Sequence, residues 1–166
     1  MVGGLDNIIK GAKYGIKAMA EILKEVPDAK LTILGLNPSR DLLNLIKVLK
    51  IKDSVSLPGF GSNITEFYLN SSVLLVTTVS ESFPMVMNEG KAHGLPIVAF
   101  NIDYNPCYQN GVITVKMFDY TSMAREVIKL LKDYEYRKIK GKEAKLSLNN
   151  YIDNDETIDI PSSLIR

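Results

Sequence analysis

Apolar positions along the chain change their spacing in a regular alternation, and that alternation predicts the fold. Residues 9–26 place Ile9, Ala12, Ile16, Met19, Ala20, Leu23 and Val26 three and four apart, with Lys13, Lys17, Glu21, Lys24 and Glu25 mostly elsewhere on the wheel. This is the pattern of an amphipathic helix. Pro27-Asp28 ends it, and residues 30–36 (KLTILGL) make a short, branched apolar run suited to a buried strand. Asn37-Pro38-Ser39 opens a second helix over residues 39–50, with Leu42, Leu43, Leu45, Ile46 and Leu49 as its apolar side. Then follow a strand at 54–57, the turn Pro58-Gly59-Phe60-Gly61, a short helix at 63–69, a strand at 73–79, a helix at 84–93 and a strand at 96–100. After an irregular segment, residues 112–115 read as the last strand, and helical patterns near 121–131 and 134–147 close the domain. Repeated strand–helix units predict an α/β fold, a doubly wound, Rossmann-like parallel sheet covered on both faces.

Composition narrows this to one domain. The 166 residues are 46% apolar and 23% charged, enough to bury a core without disulfides or a structural metal. Residues 1–150 read as the domain and 151–166, with Asp153, Asp155, Glu156 and Asp159, as a tail or linker stump. A parallel strand of ordinary length should precede the loop Gly3-Gly4-Leu5-Asp6, where only Met1 and Val2 stand, so the chain is expected to be a piece of a longer polypeptide. A formal charge of +1 gives no bulk attraction to nucleic acid. The longest apolar stretches, 73–76 and 95–100, fall far short of the ~20 residues that span a bilayer. With no secretion signal, a cytoplasmic setting is expected.

In doubly wound folds, ligands bind at the C-terminal ends of the strands, where helix N-termini present unpaired N–H groups. Residues 3–11, 58–62 and 80–89 occupy such places. In the third, Ser80-Glu81-Ser82 supplies polar loop residues and Pro84 suits a first helical turn. The N–H groups near Phe83, Met85 and Val86 can then face an anion such as a diphosphate. Glu89 lies five residues past Pro84, about 7.5 Å along a helix, roughly the reach from a nucleotide's phosphates to its ribose hydroxyls. A carboxylate can accept hydrogen bonds from two vicinal hydroxyls. Glu81 precedes the helix, on the side of whatever lies beyond the phosphates.

Glu81 and Glu89 form an E-x7-E pair within ESFPMVMNEGKAHGLPIVAF, which resembles the signature of the retaining, family-four nucleotide-sugar glycosyltransferases. The likeness is to the C-terminal, donor-binding half of their two-domain GT-B fold. GGLDNIIKG resembles its first phosphate-contacting loop, VPDAKLTILG its second strand, SVSLPGF the loop near the base, and GVITVKMFD the segment before the closing helices. It extends over residues 2 to about 148. The resemblance implies that Glu89 holds the ribose hydroxyls, that Glu81 contacts the donor sugar near its reacting carbon as the catalytic carboxylate, and that Lys10 touches the diphosphate. It further implies that Ser82 and the amides of Phe83, Met85 and Val86 complete the phosphate cradle, with Gly59 and Phe60 by the base. The family usually carries arginine where this chain has Gly4, which predicts either weaker stabilisation of the leaving diphosphate or another basic residue in that role.

The implied function is transfer of a sugar from a nucleoside diphosphate sugar to a hydroxyl acceptor held mostly by an absent N-terminal domain, in glycan or glycolipid biosynthesis. Neither cofactor nor metal is implied, because no Asp-x-Asp pair follows a strand end, and Asp153-Asn154-Asp155 lies in the tail. The alternative is a non-catalytic nucleotide-binding or scaffolding module that kept the fold, supported only by Gly4. A glycosidase pair is excluded: eight helical residues rise about 12 Å, beyond the separation hydrolysis uses, and the phosphate-facing helix start would have no purpose. An epimerase would need further acid and base groups in this half. His93, the only histidine, reads as a helix end before the stop Gly94, leaving no His-based triad or zinc site. Cys107 reads as inert, Asp103-Tyr104-Asn105-Pro106 as a turn, and Gly59-Phe60-Gly61 as a turn lacking the third glycine of a dinucleotide fingerprint, with Ile64 in its place. Arg137, Lys138, Lys140, Lys142 and Lys145 form a solvated helix face, or else meet anionic lipid heads at the inner face of the membrane or the absent domain.

Overall fold

The computed structural model describes residues 10–35, 38–60, 63–80, 85–102 and 111–154, with side chains to residue 148. Helix α1 (Ala12–Glu25) opens after Gly11 at φ 62° and buries Ala12, Ile16, Met19 and Ile22 along one stripe. Strand β1 (Leu31–Leu34) is shorter than the 30–36 run. Gly35 leaves the ladder at φ 143°, and its N–H donates to the Gly59 carbonyl at 2.9 Å. In helix α2 (Arg40–Val48), Ser39 is the N-cap, and its hydroxyl accepts from the Leu42 N–H at 3.3 Å. Leu42 and Ile46, four apart, are buried; Leu43, expected on the apolar side, is 48% exposed because it sits about 100° round the helix from Leu42.

A 3₁₀ turn at Lys52–Ser54 leads into β2 (Val55–Gly59). Pro58 and Gly59 are therefore strand residues rather than the turn their composition predicts. Among the described residues β2 pairs only with β1, and an edge strand tolerates a proline's missing N–H. Gly59 pairs with Leu34 after a shift of register past Thr32. Next come α3 (Ile64–Leu69), β3 (Leu74–Val76), α4 (Met85–Ala92), β4 (Ile97–Phe100), β5 (Val112–Val115), α5 (Tyr120–Lys132) and α6 (Tyr134–Asn154). Strand β3 stops three residues before the end of the 73–79 run, and α6 runs on past Ser147. Asp119 caps α5, accepting from both the N–H and the hydroxyl of Ser122, and these bonds hold its carboxyl below the usual range.

The strands are all parallel, β1 with β2 in one sheet and β3–β4–β5 in another. All four residues of β4 have no more than 0% exposure, so both of its faces are covered. Helices α1 and α5 pack together as one pair and α4 and α6 as another, with α4, α5 and α6 all touching β4. A cavity of about 480 Å³ is lined by Leu31 and Thr32 of β1, by Val73 and Leu75 at β3, and by Ile22 and Val127 of the helices. The strand expected ahead of Gly3 lies outside the described residues.

Candidate functional site

Of the residues singled out in the sequence, the structure describes Lys10, Gly59, Phe60, Met85, Val86 and Glu89, which lie at, beside or after the C-terminal ends of β2 and β3. Lys10 stands just before Gly11, and its carbonyl accepts from the Thr77 hydroxyl, one residue past β3, at 2.8 Å. Gly11 is equally close from the other side. A Cβ built on it would stand 2.2 Å from the Thr77 carbonyl oxygen, inside any tolerable contact, so only glycine lets the two segments meet. This explains why β3 ends early: Thr77, 1% exposed, turns its hydroxyl to the incoming first loop. Lys10 is thereby carried to the segment that leads towards Glu81.

Helix α4 supplies the second part. Met85, its first residue, is 61% exposed, and Val86 is half-buried against the core. Glu89 is half-buried, and its Oε2 accepts from the Tyr68 hydroxyl at 2.6 Å. Tyr68 is 3% exposed, at the end of α3. Burial pushes its phenol well above the ordinary 10.0, and the hydrogen bond and charge of Glu89 push it further, so it donates as the neutral group. The Tyr68 ring stacks on His93 with centroids 5.0 Å apart and planes 23° apart. His93 Nδ1 lies 2.7 Å from the Glu89 carbonyl oxygen, which can only accept, so Nδ1 carries a proton. The expected helix-end role of His93 is what this geometry gives. Gly94 follows at φ 68°, its N–H on the Lys91 carbonyl and that of Leu95 on the Gly90 carbonyl, a Schellman closure.

Gly59 closes β2 at φ 77°, and Phe60 after it is 89% exposed, a free aromatic face at the strand's C-terminal end. Gly4, Glu81, Ser82 and Phe83 lie outside the described residues, as do Cys107 and the Asp103-Tyr104-Asn105-Pro106 segment. Among the described residues, no three His, Cys, Asp or Glu side chains gather as a metal ion would require. The pattern of the family described as glycosyl transferases group 1 matches residues 1–147.

The chain belongs to that family. N-acetyl-alpha-D-glucosaminyl L-malate synthase of Bacillus anthracis is 33% identical over 144 residues, covering 84% of this chain and 38% of that protein. TarM, known from a crystal structure, superposes with a TM-score of 0.82 at 17% identity over 90% of this chain and 31% of its own. HepE of Anabaena, solved in complex with UDP and glucose, superposes with a TM-score of 0.75 at 17% identity over 92% and 45%. At such identities the likeness is one of fold, and it bears out the expected α/β, GT-B-type architecture. This chain spans about a third of the length of the longer relatives it matches.

Within this glycosyl transferase group 1 domain, sequence reasoning missed Tyr68, Thr77 and Gly11. Tyr68 carries no local mark that separates it from a core aromatic; only the fold reveals its contact with a residue 21 positions on. Thr77 was hidden inside a run that reads as strand. The basic stretch resolves into separate tasks: Arg137 Nη1 donates to the Leu130 and Leu131 carbonyls at 3.0 and 3.2 Å, closing α5, while Lys140 pairs with Glu143 at 2.7 Å. Lys138, Lys142 and Lys145 are exposed. Among the described residues, no helix is long and apolar enough to cross a membrane.

Proposed function

We propose that this chain is the donor-binding half of a retaining glycosyltransferase that moves a sugar from a nucleoside diphosphate sugar to a hydroxyl acceptor in glycan or glycolipid biosynthesis. The observation that carries the reading is the Glu89 carboxylate. It stands just over one turn into the helix that follows β3, held through one oxygen by Tyr68, with its Oε1 accepting no hydrogen bond from the described residues. That leaves lone pairs for a ribose diol. The start of α4 and Lys10, seated on Thr77, supply the positive field for the diphosphate, and Phe60 supplies an aromatic face for the base. Glu81 approaches the sugar carbon as positive charge develops there and the diphosphate oxygen takes the bonding pair, so preorganised donors and a carboxylate lower the barrier.

Calorimetric titration with uridine, guanosine and adenosine diphosphates tests the donor reading. One of the three binds the wild-type chain, and Glu89→Ala weakens that binding at least tenfold; a variant that binds as tightly as the wild type removes Glu89 from the site. The uridine arm comes first, because HepE is solved with UDP. The scaffold reading, supported by Gly4, is separated by turnover of the full-length protein against its Glu81→Ala variant. Near-zero turnover in both favours the scaffold.

A further inference from the structure

We propose that Tyr68 is a positioning residue that fixes the Glu89 carboxylate in the orientation needed to accept a ribose diol, an inference that rests on the donor-site reading of Glu89. The contact joins distant parts of the chain. Tyr68 lies in the last turn of α3, which follows β2 in one sheet, whereas Glu89 lies on α4, which follows β3 in the other. A buried phenol needs a hydrogen-bond partner, and a backbone carbonyl would ordinarily serve. Here the partner is a half-buried carboxylate at 2.6 Å, a charge-assisted bond of the stronger kind.

The ring itself is held from the residue it serves. His93 stacks on Tyr68 with its Nδ1–H directed to the Glu89 carbonyl at 2.7 Å, so the backbone of Glu89 orients the imidazole, the imidazole orients the phenol and the phenol orients the carboxylate. An ionised carboxylate offers about four lone-pair sites and Tyr68 occupies one, leaving enough for two hydroxyls. Without the phenol, Glu89 would sample several rotamers, and ordering it would fall to the ligand.

The test compares uridine diphosphate with its 2′,3′-dideoxy analogue on the wild-type chain, Glu89→Ala and Tyr68→Phe, which keeps the ring and its stack. The wild type prefers the diol by tenfold or more, Glu89→Ala loses that preference, and Tyr68→Phe weakens uridine diphosphate about five- to tenfold while leaving the dideoxy analogue within twofold. A Tyr68→Phe chain that keeps the full preference while Glu89→Ala loses it overturns the positioning role and leaves the donor site standing. Equal loss of both nucleotides in Tyr68→Phe makes Tyr68 structural and also overturns the inference. A Glu89→Ala chain that still prefers the diol overturns the ribose role of Glu89, and the inference with it.

Discussion

At the scale of single residues, Gly11 joins a left-handed conformation to a contact that no larger residue would satisfy. Gly11 sits at φ 62° with the Thr77 carbonyl 2.2 Å from where a Cβ would be, so Gly11→Ala adds a left-handed backbone penalty to a clash with backbone. The expected cost is about 2 kcal/mol or more, read from the urea midpoint, and accompanied by weaker nucleotide binding because Lys10 moves with it. Tyr68 gives a pH signature. Its pKa is raised in the folded chain by burial and by Glu89, so below the ordinary phenol value of 10.0 both folded and unfolded forms keep the proton and nothing changes. Above it only the unfolded phenol ionises, and stability falls as pH rises, by at most about 1.4 kcal/mol per unit. Thermal midpoints from pH 8 to 11 should show a steeper alkaline decline for the wild type than for Tyr68→Phe; parallel curves would refute this account. Glu89 could be singled out from the sequence because its spacing from Pro84 has a chemical meaning. Tyr68 could not, since its role comes from a neighbour in space.

Elements were easier to read than their ends. The hydrophobic periods, with the proline and glycine signals, located every described α-helix and strand, because burial of an apolar stripe or run dominates local propensity. Boundaries moved where a single polar or glycine contact intervened: Thr77 turning to Lys10 shortened β3, and Gly59 pairing with Leu34 drew Pro58-Gly59 into β2. The close of α4 shows how two glycines in one junction differ. Gly94 needs its φ of 68°, but the nearest heavy atom to a Cβ there is 3.9 Å away, so Gly94→Ala costs only the left-handed penalty, about 1 kcal/mol. Gly141, inside α6, has ordinary helical geometry, and alanine would gain helix propensity there, yet its Cβ would meet the Gly94 carbonyl at 2.2 Å. Overpacking outweighs propensity, and Gly141→Ala should lose about 2 kcal/mol or more by denaturant titration, the larger of the two effects.

In the whole molecule, the order of the strands was beyond sequence reasoning, since periodicity says which segments are strands and nothing about their neighbours. Among the described residues β1 pairs with β2 and β3 with β4 and β5, and helix packing and a few polar links join the two sheets. Tyr68 to Glu89 is such a link, connecting the helix after β2 to the helix after β3. A nucleotide whose ribose is held by Glu89, with its base against Phe60 at the end of β2, would strengthen the same junction, so ligand binding and global stability should be coupled. At a hundredfold excess over its dissociation constant, a ligand that binds only the folded state adds about 2.7 kcal/mol, which for a chain of this length raises the melting midpoint by about 5 to 10 °C. Uridine diphosphate should therefore shift the wild-type melt by that amount. The same concentration should shift the Glu89→Ala chain by much less, because its bond to the diol and its link to α3 are both gone. A melt that rises equally in both chains would mean that the nucleotide stabilises the fold from a place other than the Tyr68–Glu89 junction.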